Sequence, residues 1–139
     1  MRTTEKFFIL YIIHMTSILY FREASKRDQQ TATILYMNKE YHWALFFWHL
    51  TLEKLLKALI LKYGGEILYT HNLVRLAHAA NLTLTENQER ELTEITTFNL
   101  EARYDDEKLT FYKKATREYA DHWIKICTVY SEQWETSHE

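Results

Sequence analysis

The stretch that decides the fold is HWALFFWHLTLEKLLKALILKYGG, which covers residues 42–65. Apolar side chains occupy most of its helical circumference, a pattern typical of a helix buried at the centre of a domain. Gly64 follows the last apolar turn, and a glycine at this place commonly ends a helix in the left-handed conformation. We therefore predict a central buried helix that begins near Lys39 or Glu40 and ends at Gly64.

The segments on both sides of this helix also have helical spacing. Apolar and small residues recur every three or four positions over residues 17–37. Thr70 is a predicted N-cap for a short helix over residues 71–80. Thr85 and Gln88 have the spacing of a capping box, which predicts the start of the next helix.

The last helix is predicted to begin after Thr116, with one apolar stripe of Tyr119, Trp123, Ile126, Tyr130 and Trp134. Four long helices and one or two short ones, with brief connections, form an antiparallel up-and-down bundle. The chain of 139 residues has two glycines and no proline, too few turn residues for a strand-rich fold. We predict an all-α fold, with one four- or five-helix bundle over residues 17–136.

Residues 1–16 are predicted to form an N-terminal extension that is helical. The apolar run over residues 7–13 superficially resembles a secretory signal, but His14 ends it and no small-residue cleavage site follows. Two alternatives stay open: an added helical turn that packs on the bundle or on a partner chain, and an upstream start with Met15 as the initiator. No run approaches the roughly 20 apolar residues of a membrane span, so no membrane contact is predicted.

Charge is distributed unevenly along the chain. The net charge is −2, from 17 basic and 19 acidic residues. Residues 1–80 carry ten Lys/Arg against six Asp/Glu, and residues 81–139 carry seven against thirteen. This asymmetry fits docking of a polyanion or head-to-tail pairing of two copies, and it equally fits ordinary surface variation. A single cysteine, Cys127, excludes an internal disulfide and predicts a cytoplasmic protein.

Several motifs, taken in order, resemble the HEPN domain family. The first helix has the form Tyr20-x3-Ala24-x3-Asp28-x3-Ala32. The motifs that follow it are, in order, the central helix, THNLVRLA (70–77), ARYDDEK (102–108) and FYKKATREYA (111–120). The resemblance covers residues 18–134. It implies an up-and-down helical bundle that commonly forms homodimers and is often encoded beside, or fused to, a minimal nucleotidyltransferase.

The resemblance implies one of two functions. Some members of the family are metal-independent endoribonucleases, frequently toxins or defence effectors, and others are non-catalytic modules proposed to bind nucleotides or RNA. The ribonucleases place an Arg a few residues before a His, but after Arg103, at the matching place, this chain has no His. The expected function is therefore nucleotide or RNA binding by a regulatory module, in a toxin–antitoxin or defence context with a nucleotidyltransferase partner.

One alternative is a metal-independent endoribonuclease that uses Arg117 and His122, with Arg103 assisting. His exchanges protons near neutral pH, and Arg stabilises the charged phosphorane formed during RNA cleavage. Arg117 and His122 lie five positions apart, so on a helix their side chains differ by about 140° in direction and would meet only at an edge or across a dimer. Another alternative is a dimeric interaction scaffold that binds no ligand.

A basic surface is the predicted contact for nucleotide or RNA, because lysines, arginines and helix N-termini favour phosphate. Its predicted members are Lys54, Lys57, His71, Asn72, Arg75, Arg103, Lys113 and Lys114. For each lysine the alternative is an ordinary solvated position, and Asn72 also suits a helix cap.

His49 and Glu53 have the i, i+4 spacing of a metal-binding pair, and His42 lies on the same helical face. The surrounding Leu, Phe and Trp residues favour another role, in which His49 makes a buried hydrogen bond and Glu53 pairs with Lys57. Because no third close ligand is identified, neither a metal nor another cofactor is predicted.

Overall fold

Helix α2 (Tyr41–Lys62) lies at the centre of the domain, as its apolar sequence predicts. Its leucines at positions 45, 52, 55, 56 and 59 are fully buried. Gly64 follows the helix with φ of 81°, in the left-handed region, which confirms the predicted stop.

The computed structural model describes residues 2–138. Its helices are α1 (Thr3–Met37), α2 (Tyr41–Lys62), α3 (Leu73–Ala79), α4 (Glu86–Arg103), α5 (Thr110–Lys114) and α6 (Arg117–Thr136). Helices α1, α3, α4, α5 and α6 all pack against α2. No strand occurs among the described residues, and the predicted all-α fold is confirmed.

Predicted caps begin both α4 and α6. Thr85 forms a capping box with Gln88, since each side chain accepts a hydrogen bond from the other residue's backbone N–H. The Thr116 side chain accepts a hydrogen bond from the backbone N–H of Tyr119 at the start of α6. These hydrogen bonds satisfy donors that have no partner within the first helical turn.

The cap predicted for α3 is wrong. Asn72 caps this helix by accepting a hydrogen bond from the backbone N–H of Arg75 at 3.1 Å. Thr70 lies two residues before Asn72, and its hydroxyl accepts a hydrogen bond from the backbone N–H of Asn72. The helix consequently begins at Leu73 rather than at residue 71.

The apolar stripe predicted on α6 faces the rest of the bundle. Tyr130 and Trp134 are buried, and Cys127 between the stripe residues is fully buried. The rings of Trp123 and Phe98 of α4 meet edge to face, with their centroids 6.0 Å apart. This packing closes the bundle on the side of α4.

Helix α1 begins earlier than the periodicity of residues 17–37 predicts. It is one continuous helix of 35 residues that starts at Thr3. Ala24 and Ala32 are buried in the bundle, whereas residues 2–13 are all exposed. We call residues 3–16 the N-terminal arm. Among the residues described, α1 alone has the length and apolar composition of a membrane-spanning helix, and little of it is buried.

Candidate functional site

A line of polar side chains crosses the domain where α2, the start of α3 and the end of α4 meet. Each member is hydrogen-bonded to the next through a side chain or a main-chain carbonyl. We call this line the polar row; its members are Arg103, Asn99, His49, His71, Glu53 and Lys57.

His49 occupies the middle of the polar row and is 0% exposed. Its Nε2 lies 2.8 Å from the main-chain carbonyl oxygen of His71, so Nε2 carries the proton and donates it. The side-chain amide of Asn99 lies 3.4 Å from Nδ1, which accepts. Burial lowers the pKa of His49 to about 4, so the ring is neutral at pH 7, as this arrangement requires.

Arg103 forms one end of the polar row. Its Nη2 donates to Oδ1 of Asn99 at 2.6 Å, and its Nε donates to the main-chain carbonyl oxygen of Asn99 at 3.2 Å. The guanidinium also lies 5.3 Å from the centre of the Tyr104 ring. Within residues 2–138 Arg103 forms no ion pair with a carboxylate. Its charge is therefore held in place but not neutralised.

Glu53 joins the other end of the polar row to the bundle. Its carboxylate accepts hydrogen bonds from Nδ1 of His71 at 2.6 Å and from Nζ of Lys57 at 3.1 Å. The Glu53 side chain is only 5% exposed. Burial by itself would raise the pKa of Glu53, but the hydrogen bond from His71 and the charge of Lys57 hold that pKa below its ordinary value.

His71 is anchored at one nitrogen and open at the other side of its ring. Nδ1 is bound by Glu53, while the side chain as a whole is 57% exposed. In a neutral ring that donates from Nδ1, Nε2 is an acceptor, and in a protonated ring Nε2 is a second donor. His71 can therefore bind a polar group that approaches from solvent.

Two predicted binding residues outside the polar row are paired with carboxylates. Lys54 forms an ion pair with Asp28 of α1. Lys114 forms an ion pair with Glu94 of α4 at 3.0 Å. Their charges are partly compensated within the chain, which weakens the case for either lysine as a phosphate contact.

The other predicted binding residues have different surroundings. Asn72 uses its side-chain oxygen to cap α3. Arg75 on α3 and Lys113 on α5 are exposed. The polar row thus contains three of the predicted binding residues, namely Lys57, His71 and Arg103, while Lys113 and Lys114 belong to α5.

Arg117 and His122, the residues of the ribonuclease alternative, are both exposed on α6. Nε of Arg117 lies 3.9 Å from Oδ2 of Asp121, and Oδ1 of the same carboxylate accepts a hydrogen bond from the hydroxyl of Tyr36 on α1. The ring of His122 lies edge to face against Trp123, with their centroids 5.2 Å apart. Within one chain, Arg117 and His122 therefore have different partners.

The residues described contain no group of three or more His, Cys, Asp or Glu side chains placed to hold a metal ion. The buried hydrogen bond predicted for His49 and the predicted pair of Glu53 with Lys57 are both confirmed. His42, on the same helix, packs its ring edge to face against Tyr112, with the centroids 5.1 Å apart.

Asn99, which connects His49 to Arg103, is not among the residues predicted from the sequence. Asn99 lies on the buried face of α4, between the buried Phe98 and Ala102. A buried asparagine needs hydrogen-bond partners, so an asparagine on an apolar helix face indicates a buried polar contact. Tyr104, which lies beside Arg103, is 68% exposed.

The sequence model of one protein family, described as HEPN domain, matches residues 18–130, which include the whole polar row. No curated protein and no solved structure shows significant similarity to the chain. Because the family match covers most of the bundle, the chain belongs to the HEPN domain family.

Proposed function

We propose that this HEPN domain is a non-catalytic module that binds a nucleotide or RNA at the exposed ends of the polar row. The observation that carries the proposal is the state of Arg103, whose charge is held by the neutral Asn99 rather than by a carboxylate. These contacts use two of the five N–H donors of a guanidinium, so the others are available to a phosphate. Asn99 orients the guanidinium before the ligand arrives, which lowers the entropic cost of binding.

Two exposed rings, Tyr104 beside Arg103 and His71 further along the polar row, support a nucleotide rather than a simple anion. The exposed ring of Tyr104 offers a face on which a base can stack. The exposed ring of His71 offers a donor or acceptor to a ribose hydroxyl or a phosphate. Lys57 adds positive charge to the same row, although Glu53 compensates part of it.

The proposal extends to the setting in which the module acts. We infer a homodimer that regulates a toxin–antitoxin or defence system together with a nucleotidyltransferase partner. Membership of the HEPN family supports this setting, since small proteins of this kind are often paired with such enzymes. Co-purification with the product of the adjacent gene tests the partner, and sedimentation equilibrium tests the dimer.

RNA and nucleotide binding can be measured by fluorescence anisotropy with labelled mixed-sequence single-stranded RNA and with a labelled nucleoside triphosphate. Arg103→Ala is expected to weaken binding by about tenfold or more, because a phosphate contact is lost. Arg90→Ala is the matched control, since Arg90 is an exposed arginine on the same helix. Equal affinity of the two variants would contradict the proposed site, and no binding by the native chain would contradict the proposed function.

The observation that favours the ribonuclease alternative is that Arg117 and His122, in the first two turns of α6, are both exposed and therefore accessible to RNA. Incubation of the purified chain with labelled RNA in EDTA separates the two functions. Intact RNA supports the binding module. Cleavage that is lost in both Arg117→Ala and His122→Ala would replace the binding module with a metal-independent endoribonuclease.

A further inference from the structure

The N-terminal arm leaves a long series of large apolar side chains uncovered. Their exposed fractions run from 39% to 67%, and the residues are Phe7, Phe8, Ile9, Leu10, Tyr11, Ile12, Ile13 and Met15. Folded proteins rarely leave contiguous apolar surface of this extent in water, and such surface usually marks a contact with a partner or a membrane.

The apolar side chains surround the arm and do not form a stripe. Residues 7–13 are seven consecutive apolar residues, and successive residues of a helix differ by about 100° in direction. A partner helix covers only one side of such a segment, whereas hydrocarbon covers all sides. An amphipathic helix that lies flat at a surface would need a polar face, which residues 7–13 do not have.

The polar groups within the arm are suited to an apolar surrounding. Its backbone is continuously helical from Thr3, so the main-chain N–H groups from Lys6 onward are paired within the helix. The hydroxyl groups of Thr16 and Ser17 donate to the main-chain carbonyl oxygens of Ile12 and Ile13.

Charged residues stand at both ends of the apolar segment. Residues 7–21 contain no Asp, Glu, Lys or Arg, while Arg2, Glu5 and Lys6 precede them and Arg22 follows them. Arg22 is paired with Glu135 of α6, so Arg2 and Lys6 are the basic residues available to headgroups at the arm. Basic residues at the ends of a membrane segment bind anionic headgroups.

The exposed apolar segment is too short to span a bilayer and matches the depth of one leaflet. Residues 7–16 carry no Asp, Glu, Lys or Arg and precede Ile18, which is buried in the bundle. At a rise of about 1.5 Å per residue this continuous helix is roughly 15 Å long, about half of the ~30 Å hydrocarbon layer. The prediction of no membrane contact counted the uninterrupted run over residues 7–13. In the structure this run lies outside the bundle on a helix that begins at Thr3, and all of its side chains are exposed.

We propose that the N-terminal arm inserts into the hydrocarbon layer of a bilayer with anionic headgroups and attaches the HEPN bundle to that membrane. Arg2 and Lys6, whose long side chains reach out of the hydrocarbon, contact the headgroups, and the bundle from Ile18 onward stays in water. The inference rests on the arm alone and is independent of the nucleotide- or RNA-binding proposal.

Flotation of the full chain with vesicles tests this attachment. The vesicles contain phosphatidylcholine with about one-third phosphatidylglycerol, and pure phosphatidylcholine vesicles serve for comparison. The arm variant is Ile9→Lys/Ile12→Lys. The matched control is Ile34→Lys/Met37→Lys. It places the same charges on exposed positions in the part of α1 that belongs to the bundle. Circular dichroism and thermal unfolding verify that both variants fold.

The native chain and the control are expected to float with the anionic vesicles. The arm variant is expected to lose more than about 100-fold in partition coefficient, since lysine is strongly disfavoured in hydrocarbon. Weaker flotation with pure phosphatidylcholine supports the headgroup contact, and equal flotation would overturn that part. No flotation of the native chain would overturn the insertion. If sedimentation velocity without lipid then shows a dimer that only the arm variant loses, a second copy covers the arm instead.

Discussion

The imidazole of His49 donates a hydrogen bond of 2.8 Å from Nε2 to the main-chain carbonyl oxygen of His71. This bond joins the middle of α2 to the residue that precedes the cap of α3. It also fixes the tautomer of His49, so that Nδ1 faces Asn99 as an acceptor. The position of the exposed His71 ring therefore depends on a side chain that is itself fully buried.

Replacing His49 should be costly. His49→Ala leaves a cavity in the core and removes the partners of the His71 carbonyl and the Asn99 amide. We expect the free energy of unfolding to fall by about 2–4 kcal/mol. Urea unfolding followed by circular dichroism measures this loss. His78→Ala, at a largely exposed histidine, should change stability by less than about 0.5 kcal/mol, and equal losses for the two variants would refute the role given to His49.

Stability should also fall in mild acid because of His49. Its pKa is about 4 in the folded protein against an ordinary value of 6.5, so between these values the unfolded chain binds more protons. The expected loss from this residue between pH 7 and about pH 5 is about 2 kcal/mol. Unfolding of the native chain and of His49→Gln at both pH values measures it. The variant should lose correspondingly less, and parallel pH dependences would count against a buried neutral His49.

Glu53 should stabilise the domain through its two partners. In Glu53→Gln the charge that holds His71 and Lys57 is removed, while the volume of the side chain is kept. We expect a loss of about 1–3 kcal/mol at pH 7, because Lys57 is left mostly buried without its partner. Chemical unfolding measures the change. Glu66→Gln, at an exposed position, is the control and should be nearly neutral.

Cys127 should be chemically inert in the folded protein. The thiol is fully buried, and this burial raises its pKa above the ordinary value, which suppresses the reactive thiolate. With Ellman's reagent at pH 8 we expect reaction only through unfolding, at least about 1,000-fold slower than in 6 M guanidinium chloride. A fast reaction of the native chain would show that α6 opens away from the core.

The helices were largely predictable because their signals are local. The apolar residues of α2, the capping box at Thr85 and the cap at Thr116 each lie within a few positions of the feature that they determine. Thr70 and Asn72 show where local signals are insufficient. Both residue types suit a cap, and the contact of the Leu73 backbone N–H with the Thr96 hydroxyl, 23 positions away, helps to place the start of α3.

The polar row was only partly predictable because it depends on tertiary contacts. The link between Glu53 and Lys57 follows from helical spacing, but Glu53 and His71 are 18 positions apart and His49 and Asn99 are 50 positions apart. No periodicity within one helix relates such residues. The family resemblance led to Arg103, yet only the folded chain shows that Asn99 holds its guanidinium.

Because α1 is one continuous helix, the number of residues between the N-terminal arm and the bundle fixes how the two are rotated relative to each other. Between the N-terminal arm and the bundle the helix contains neither glycine nor proline, the residues at which helices most readily bend. Each residue of a helix adds about 100° of rotation. Inserting a single alanine after Ser17 would therefore turn the arm by that angle about the axis of α1, relative to the face that bears Arg103. The number of residues in α1 between the arm and the bundle therefore determines the direction in which the bundle presents that face.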